Sequence, residues 1–291
     1  MRVDSKVMMV TGATSGIGEA AAESLARLGA SVVLVGRDRE RTKSVADRIR
    51  QDTGNRSVGY LTADLSSQRS VRELARGFAS RYPRLDVLIN NAGGIFMRRR
   101  LSEDGIEMTF ALNHLGYFLL TNLLLDMLIS SAPARVVNVS SCGHELAGGL
   151  DLSDLQRERG YRGFPAYHQS KLANLLFTYE LARRLSGTGV TVNALHPGLV
   201  ATRIGLNNGL GWRLIKPLIS WAYGIRYVSP EVGAQTLTYL ATSLEVEGQS
   251  GGYYVSNKAA ASSPASRDGA AALSLWELSE RMTELDCAVR T

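Results

Sequence analysis

Short runs rich in valine, isoleucine and leucine punctuate this chain: Val7–Val10, Ser31–Val35, Val58–Leu61, Val87–Ile89, Arg135–Val139, Val190–Ala194 and Tyr253–Val255. Most are separated by segments with apolar residues at helical spacing, such as "GEAAAESLARLG" and "SSQRSVRELARGFASRY". A run that is apolar at consecutive positions has no face to give to water, so it belongs in a parallel sheet covered by helices on both sides. Seven such runs alternating with helices predict a single α/β domain, doubly wound, around a parallel sheet of about seven strands. No linker or internal repeat divides the chain, and the Ala/Ser-rich "NKAAASSPASRDG" reads as a loop before a last helix around 270–285.

The longest apolar stretch, "LGYFLLTNLLLDMLI", is interrupted by Thr121, Asn122 and Asp126. It falls short of the roughly 18 unbroken apolar residues of a membrane span. The N-terminus enters a strand-like "KVMMVTG" without the apolar region of a signal peptide, so a cytoplasmic protein without a membrane anchor is expected.

Composition adds mainly exclusions. The net charge is +6 and the pI about 9.4, but the positive residues are mostly arginines mixed with acids along helices, as in "GRDRERTKSVADRIR". That mixture is the pattern of a solvated helix face. Arg98–Arg100 is the one concentrated basic run and has no interleaved aromatics, so nucleic acid is not an expected partner. Cys142 and Cys287 form no CxxC unit, and the four histidines lack a ligand spacing, so neither a disulfide framework nor a metal site is expected.

Chemistry enters at "TGATSGIGEAAAESLARLG", directly after the first strand. Gly12, Gly16 and Gly18 stand between strand and helix, where glycine lets a pyrophosphate approach the backbone and the helix N-terminus offers unpaired amides and a positive dipole. This predicts a Rossmann-type dinucleotide-binding domain. The second strand, "SVVLVGRD", ends at Gly36 and Arg37, where an acid would select NAD through the ribose hydroxyls. A small residue followed by a guanidinium suits a 2′-phosphate, so NADP(H) is favoured over NAD(H). Asp38 is expected to cap the next helix.

"PAYHQSKLANLLF" places Tyr167 and Lys171 four residues apart, on one face of a helix. With 28 arginines against 5 lysines in the chain, a bland surface cation at 171 would more often be arginine. Together with these two stretches, "TADL", "INNAGG", "LNHLGYFLLTNLLL", "RVVNVSS" and "ALHPGLVATR" follow in an order that resembles the short-chain dehydrogenase/reductase family over nearly the whole chain. "YHQSKLANLLFTYELARRL", "HPGLVATRI" and a long segment between Ser141 and Tyr167 are in the style of its retinol dehydrogenase-like branch.

The resemblance implies a catalytic set of Asn113, Ser141, Tyr167 and Lys171. It also implies a cofactor site made by Gly12, Thr14, Ser15, Gly16, Ile17, Gly18, Arg37, Asp64, Leu65, Asn91, Ala92, Gly93, Tyr167, Lys171, Pro197, Gly198, Val200 and Thr202. Asp64 and Leu65 would border the adenine, Asn90 to Gly93 would lie against the cofactor, and Thr202 would meet the carboxamide. Ser141 would orient the substrate oxygen, and Asn113 would anchor a water linking Lys171 to bulk protons. Homodimers or homotetramers built on paired helices are a further implication, for which the apolar faces of Leu115–Ile129 and Leu172–Leu181 are suited; core burial would give the same pattern.

A carbonyl reduction needs hydride from nicotinamide and a proton from a tyrosine whose ordinary pKa is about 10. Bringing that value to about 7 requires roughly 4 kcal/mol, which one positive charge about 4 Å away supplies at an effective dielectric near 20. Lys171 is expected to be that charge. The reading is an NADP(H)-dependent oxidoreductase acting on a medium-to-large apolar carbonyl or alcohol: retinoid-, steroid-, polyketide- or lipid-like. A non-catalytic NADP(H)-binding redox sensor is the alternative, and a sugar-nucleotide epimerase is disfavoured by the glycine spacing and "NNAG".

Other residues read more plainly. His114 and His168 are expected to pack or meet solvent, His196 to support the Pro197–Gly198 turn, and Glu180 to be surface charge. The apolar "GWRLIKPLISWAYGI" within 203–228 reads as a lid over an apolar substrate, against a static helix pair or a subunit contact. Arg98–Arg100 reads as a solvated loop, with the site mouth as the second choice.

Overall fold

The computed structural model describes residues 3–200 and 227–285. Thr202, Cys287 and all but the last two residues of the 203–228 lid lie outside the described residues. The chain alternates strand and helix: β1 Val7–Thr11, α1 Gly16–Arg27, β2 Ser31–Gly36, α2 Arg39–Thr53, β3 Val58–Thr62, α3 Gln68–Ala79 and β4 Val87–Asn90. Then come α4 Met108–Phe110, a π-helical stretch Ala111–Leu115, α5 Gly116–Leu123, α6 Leu125–Ser130 and β5 Ala134–Val139. A 3₁₀ turn Cys142–Ala147, α7 Gly163–Arg184, β6 Val190–His196, α8 Pro230–Thr242, β7 Tyr253–Val255, β8 Lys258–Ala259 and α9 Gly269–Thr283 complete the order.

The strands form one sheet in the order β3-β2-β1-β4-β5-β6-β7-β8. All neighbours through β7 are parallel. The order reverses between β1 and β4, which puts a crevice at the carboxyl ends of these strands, where such sheets bind ligands. Every one of the seven predicted strands is present. The eighth corrects the predicted number: β8 is two exposed residues pairing antiparallel with β7 across a turn in which Ser256 and Asn257 both have positive φ. A two-residue strand has no periodicity to detect, and its signal lies in the turn instead.

Both faces of the sheet are covered. Met9, Val33, Leu88 and Val136 point to one core with α3, α5 and α7, and Met8, Val10, Leu34 and Ile89 to the other with α1, α2 and α8. This alternation of buried partners is why the strands lack a polar face. The apolar faces of α5 and α7 are occupied within the chain. Trp276 of α9 is buried against Phe118 and Phe177, with ring centroids 5.0 and 5.9 Å away, and Leu275 joins Leu172 and Leu176.

Glu180 corrects another expectation. It is 5% exposed and accepts from Arg183 Nη2 at 2.8 Å and Arg184 Nε at 2.6 Å, while the Arg184 guanidinium lies 4.1 Å from the Trp276 ring. Burial pushes the Glu180 carboxyl up, but the two arginines outweigh it and hold it below its ordinary value. From sequence it stands among arginines at the end of a helix, where a surface ion pair looks the same.

Candidate active site

The turn after β1 is shaped for close approach. Gly12 and Gly16 have φ of +66° and +59°, a region costly for residues with a Cβ. A Cβ on Gly12 would lie 2.8 Å from the Ala92 Cα, and one on Gly18 would lie 2.5 Å from the Gly12 carbonyl oxygen. Asn91 locks the arrangement by donating from its side chain to the Thr11 carbonyl at 2.8 Å. Ser15 is the N-cap of α1 but makes no side-chain cap bond, so the first-turn amides of α1 have no side-chain acceptor from it. Thr14 and Ile17 stand beside it in the same turn. Tight glycines beneath an uncapped helix N-terminus fit a pyrophosphate, so the residues present suit a dinucleotide.

At the end of β2 the geometry gives a different reason for glycine. A Cβ on Gly36 would collide with the side chains of Thr14 and Thr42, so the space is filled by threonines rather than left open for a phosphate. The same crowding excludes an acid at 36. Asp38 accepts from Arg41 N–H at 2.9 Å and caps α2, as expected, which occupies its carboxylate. Arg37 is exposed, with Asp64 at 4.0 Å. Arg41 was missed by sequence reasoning: its Nε and Nη2 both donate to the Thr14 carbonyl, at 3.2 and 2.9 Å, which sets a second guanidinium at the edge of the glycine turn. The "RDRER" alternation holds the signal, but only the turn shows that it faces Thr14.

Asp64 forms a local turn, accepting from Ser66 N–H and Oγ at 3.0 and 2.6 Å, and Leu65 is buried where Gly116 of α5 approaches its carbonyl. After β4, Asn91 and Ala92 pack against the glycine turn, and Gly93 lies beside Lys171: a Cβ on it would be 3.7 Å from Lys171 Nζ. Pro197, Gly198 (φ +84°) and Val200 follow β6, and Val200 pairs with Val228.

The four catalytic candidates converge at the carboxyl ends of β4 and β5. Ser141 leaves β5 in extended conformation and its Oγ accepts from Gly143 N–H at 3.1 Å. Tyr167 and Lys171 project from α7, which is anchored to β5 by the Ser140 hydroxyl donating to the Lys171 carbonyl at 2.8 Å. The Ser141 side chain acts on the Tyr167 phenol, drawing its pKa down against burial. Asn113 sits in the π-helical stretch, a feature frequent at functional sites. Its Oδ1 accepts from Gly94 N–H at 2.8 Å, and its Nδ2 donates to Gly94 O and Ser170 Oγ, each at 3.0 Å. The side chain therefore ties the β4 loop to α7.

The electrostatics correct the expected order of effects. Lys171 Nζ donates to the Val139 carbonyl at 3.0 Å and lies 5.6 Å from the Tyr167 ring centroid. Burial pushes the lysine down to about 7, and burial pushes Tyr167 up to about 12, against the opposing pull of the Ser141 side chain. Desolvation, not the Lys171 charge, dominates both groups. At neutral pH the phenol holds its proton.

The remaining polar residues have specific places. His114 is buried, 3.0 Å from Ser279 Oγ, and desolvation pushes it down to about 3, so it is a packed residue. His168 lies against Gly143, and His196 ends β6 with its Nδ1 buried and without a partner among the described residues. Arg99 is not a free cation at the mouth: it donates to the Gln156 carbonyl at 3.0 Å and pairs with Glu158. The segment between Ser141 and Tyr167 is further held by Gln156 accepting from Glu107 N–H and Tyr161 donating to the Phe96 carbonyl.

The short chain dehydrogenase family profile matches residues 6–209. Human retinol dehydrogenase 14 is 46% identical over 96% of this chain and 87% of its own, and human retinol dehydrogenase 13 is 44% identical over 98% and 86%. Among solved structures, an uncharacterised protein from Mycobacterium paratuberculosis superimposes with a TM-score of 0.76 at 33% identity, covering 97% of this chain and 94% of that one. The Pseudomonas aeruginosa RhlG/NADP active-site complex gives 0.68 at 28% identity, covering 87% and 96%. The fold, the glycine turn and these likenesses agree: the chain belongs to the short-chain dehydrogenase/reductase family, in its retinol dehydrogenase-like branch, and is a nicotinamide-dependent oxidoreductase of carbonyls and alcohols.

Proposed function

We propose that the protein is an NADP(H)-dependent oxidoreductase of a medium-to-large apolar carbonyl or alcohol, with Tyr167 as proton donor and acceptor. The observation that carries the reading is the protonated Tyr167 phenol one helical turn from buried Lys171, whose Nζ lies 5.6 Å from its ring centroid, with the Ser141 side chain acting on the phenol from the end of β5. The nicotinamide supplies or takes the hydride when bound. Ser141 orients the substrate oxygen, and Tyr167 delivers its proton to that oxygen during reduction. Lys171 stabilises the phenolate that remains: at the 5.6 Å between its Nζ and the Tyr167 ring centroid, a charge is worth roughly 3 kcal/mol at an effective dielectric of about 20. A water held at Asn113, returning protons toward Lys171, completes the proposal.

Arg37 and Arg41 support NADP(H), since together they offer two guanidinium groups where a 2′-phosphate would meet the β2 end, and Asp38 is engaged as a cap. Leu146, Phe164 and Leu199 support an apolar substrate: they are 73%, 42% and 48% exposed and follow or precede Ser141, Tyr167 and Pro197 closely in the chain. The printed names of the retinol dehydrogenases point the same way. The homodimer takes no support from α5 and α7, whose apolar faces are covered by α9. Among the described residues, no helix is long and apolar enough to cross a membrane.

The test is nicotinamide absorbance with NADPH and NADH against carbonyls graded from short aldehydes to bulky apolar ketones, with Tyr167→Phe beside the wild type. Turnover on bulky substrates that prefers NADPH and collapses in the variant is expected. Tight nucleotide binding without turnover on any carbonyl would instead favour the sensor.

A further inference from the structure

His144 lies three residues beyond Ser141, fully buried, and nothing in the proposed chemistry uses it. Its two ring nitrogens meet main-chain groups of opposite character. Nδ1 is 2.6 Å from the Ser141 carbonyl oxygen, which can only accept. Nε2 is 3.1 Å from the Ser263 N–H, which can only donate. These partners determine the tautomer: the imidazole is neutral, with the proton on Nδ1. The ring is also held edge-on against Tyr253 at 5.1 Å.

Both anchors are themselves fixed. Ser262, next to Ser263, bonds the Tyr179 hydroxyl of α7 at 2.7 Å. Ser141 is the residue whose Oγ takes the Gly143 N–H and whose side chain acts on the Tyr167 phenol. The β5–β6 pairing runs as far as Ser140, whose N–H donates to the Leu195 carbonyl at 2.8 Å, and the Ser141 main chain beyond it has no strand partner. What holds it is the turn closed by His144, through its main-chain N–H at 3.2 Å and its ring.

We infer that His144 is a positioning residue for the reaction: its Nδ1–H holds the Ser141 carbonyl and so aims the Ser141 hydroxyl at Tyr167 and the substrate oxygen. The inference rests on the proposed role of Ser141. A group within hydrogen-bond reach aligned by a buried neighbour loses rate when the neighbour is lost, even with binding intact.

The two arms can be separated by substitution. Asparagine carries an amide N–H at the δ position and can keep the Ser141 arm, whereas glutamine reaches the ε position toward Ser263 and has no donor at δ. The experiment measures kcat, KM, NADPH binding and thermal midpoint for wild type, His144→Asn, His144→Gln and Ser141→Ala on one carbonyl substrate. Expected is a 10- to 100-fold loss of kcat in His144→Gln, about that range for one misaligned group, with KM and NADPH binding within about threefold. His144→Asn is expected to recover most of that loss. Equal losses in both variants that track their thermal midpoints, or full activity in His144→Gln while Ser141→Ala is inactive, would overturn the inference. A fully active Ser141→Ala would overturn the serine's role instead. If His144→Gln does not fold, imidazole ¹⁵N shifts of the wild type decide: a protonated Nδ1 and bare Nε2 support the clamp, and the opposite tautomer removes it.

Discussion

The ammonium of Lys171 donates to the main-chain oxygen of Val139 at 3.0 Å, and that same oxygen takes the Asn174 amide at 3.3 Å. A buried amine with a neutral carbonyl as its acceptor loses more hydration than it regains, which is why its pKa falls to about 7.

Lys171 therefore sets a pH dependence of stability in the nucleotide-free enzyme. The unfolded chain keeps the lysine proton to about 10.5 and the folded protein releases it near 7, so the unfolded state binds more protons between these values. Unfolding free energy rises with pH across that window, by up to about 1.4 kcal/mol per pH unit from this group. Urea titrations at pH 7, 8 and 9 should show the slope in wild type and its loss in Lys171→Met, which is also expected to be catalytically dead. An unchanged slope in the variant would assign it to another group.

Tyr167→Phe removes the proposed proton donor and leaves the ring's packing. We expect kcat to fall by about 100- to 10,000-fold, the range for a general acid, with nucleotide affinity within about threefold. Stopped-flow turnover with equilibrium NADPH binding checks it; a parallel loss of binding would mean the ring, not the hydroxyl, was the requirement.

Arg41→Ala tests the NADP(H) reading at the residue that the fold, not the motif, brings to the glycine turn. Loss of one charge-assisted contact costs about 1.5–3 kcal/mol, or roughly 10- to 150-fold in NADPH affinity. NADH affinity should stay within about threefold. Equal weakening of both nucleotides would show that Arg41 only buttresses the Thr14 turn.

Gly12→Ala combines a φ of +66° with a Cβ 2.8 Å from the Ala92 main chain. A destabilisation of about 1–3 kcal/mol and loss of dinucleotide binding are expected, read by urea denaturation and nucleotide titration. Wild-type binding would show that the turn is not the phosphate cradle.

Trp276→Ala should destabilise by about 3–5 kcal/mol, the cost of a large aromatic deleted from a core. It removes the partner of Phe118 and Phe177 and uncovers the Arg184–Glu180 pair. Denaturation reads the loss, and light scattering on the variant reads whether the uncovered α5–α7 face then self-associates.

The sequence by itself determined the layered α/β fold, since each strand reads as a run apolar on both sides, and it picked out the candidate site residues, since glycines, Ser141 and the Tyr167–Lys171 pair each stand where a strand ends or one helical face repeats. These are local signals, carried by neighbours in the chain. The tertiary structure decided what depends on distant neighbours. Only packing reveals that Gly36 is small because Thr14 and Thr42 fill its space, that Glu180 is buried under Trp276, and that α9 covers the faces of α5 and α7. Only burial sets the Tyr167 and Lys171 protons, because desolvation is a property of the whole surroundings and not of a four-residue spacing. And only the fold brings Ser263 to His144, 119 residues away, to hold the turn that carries Ser141.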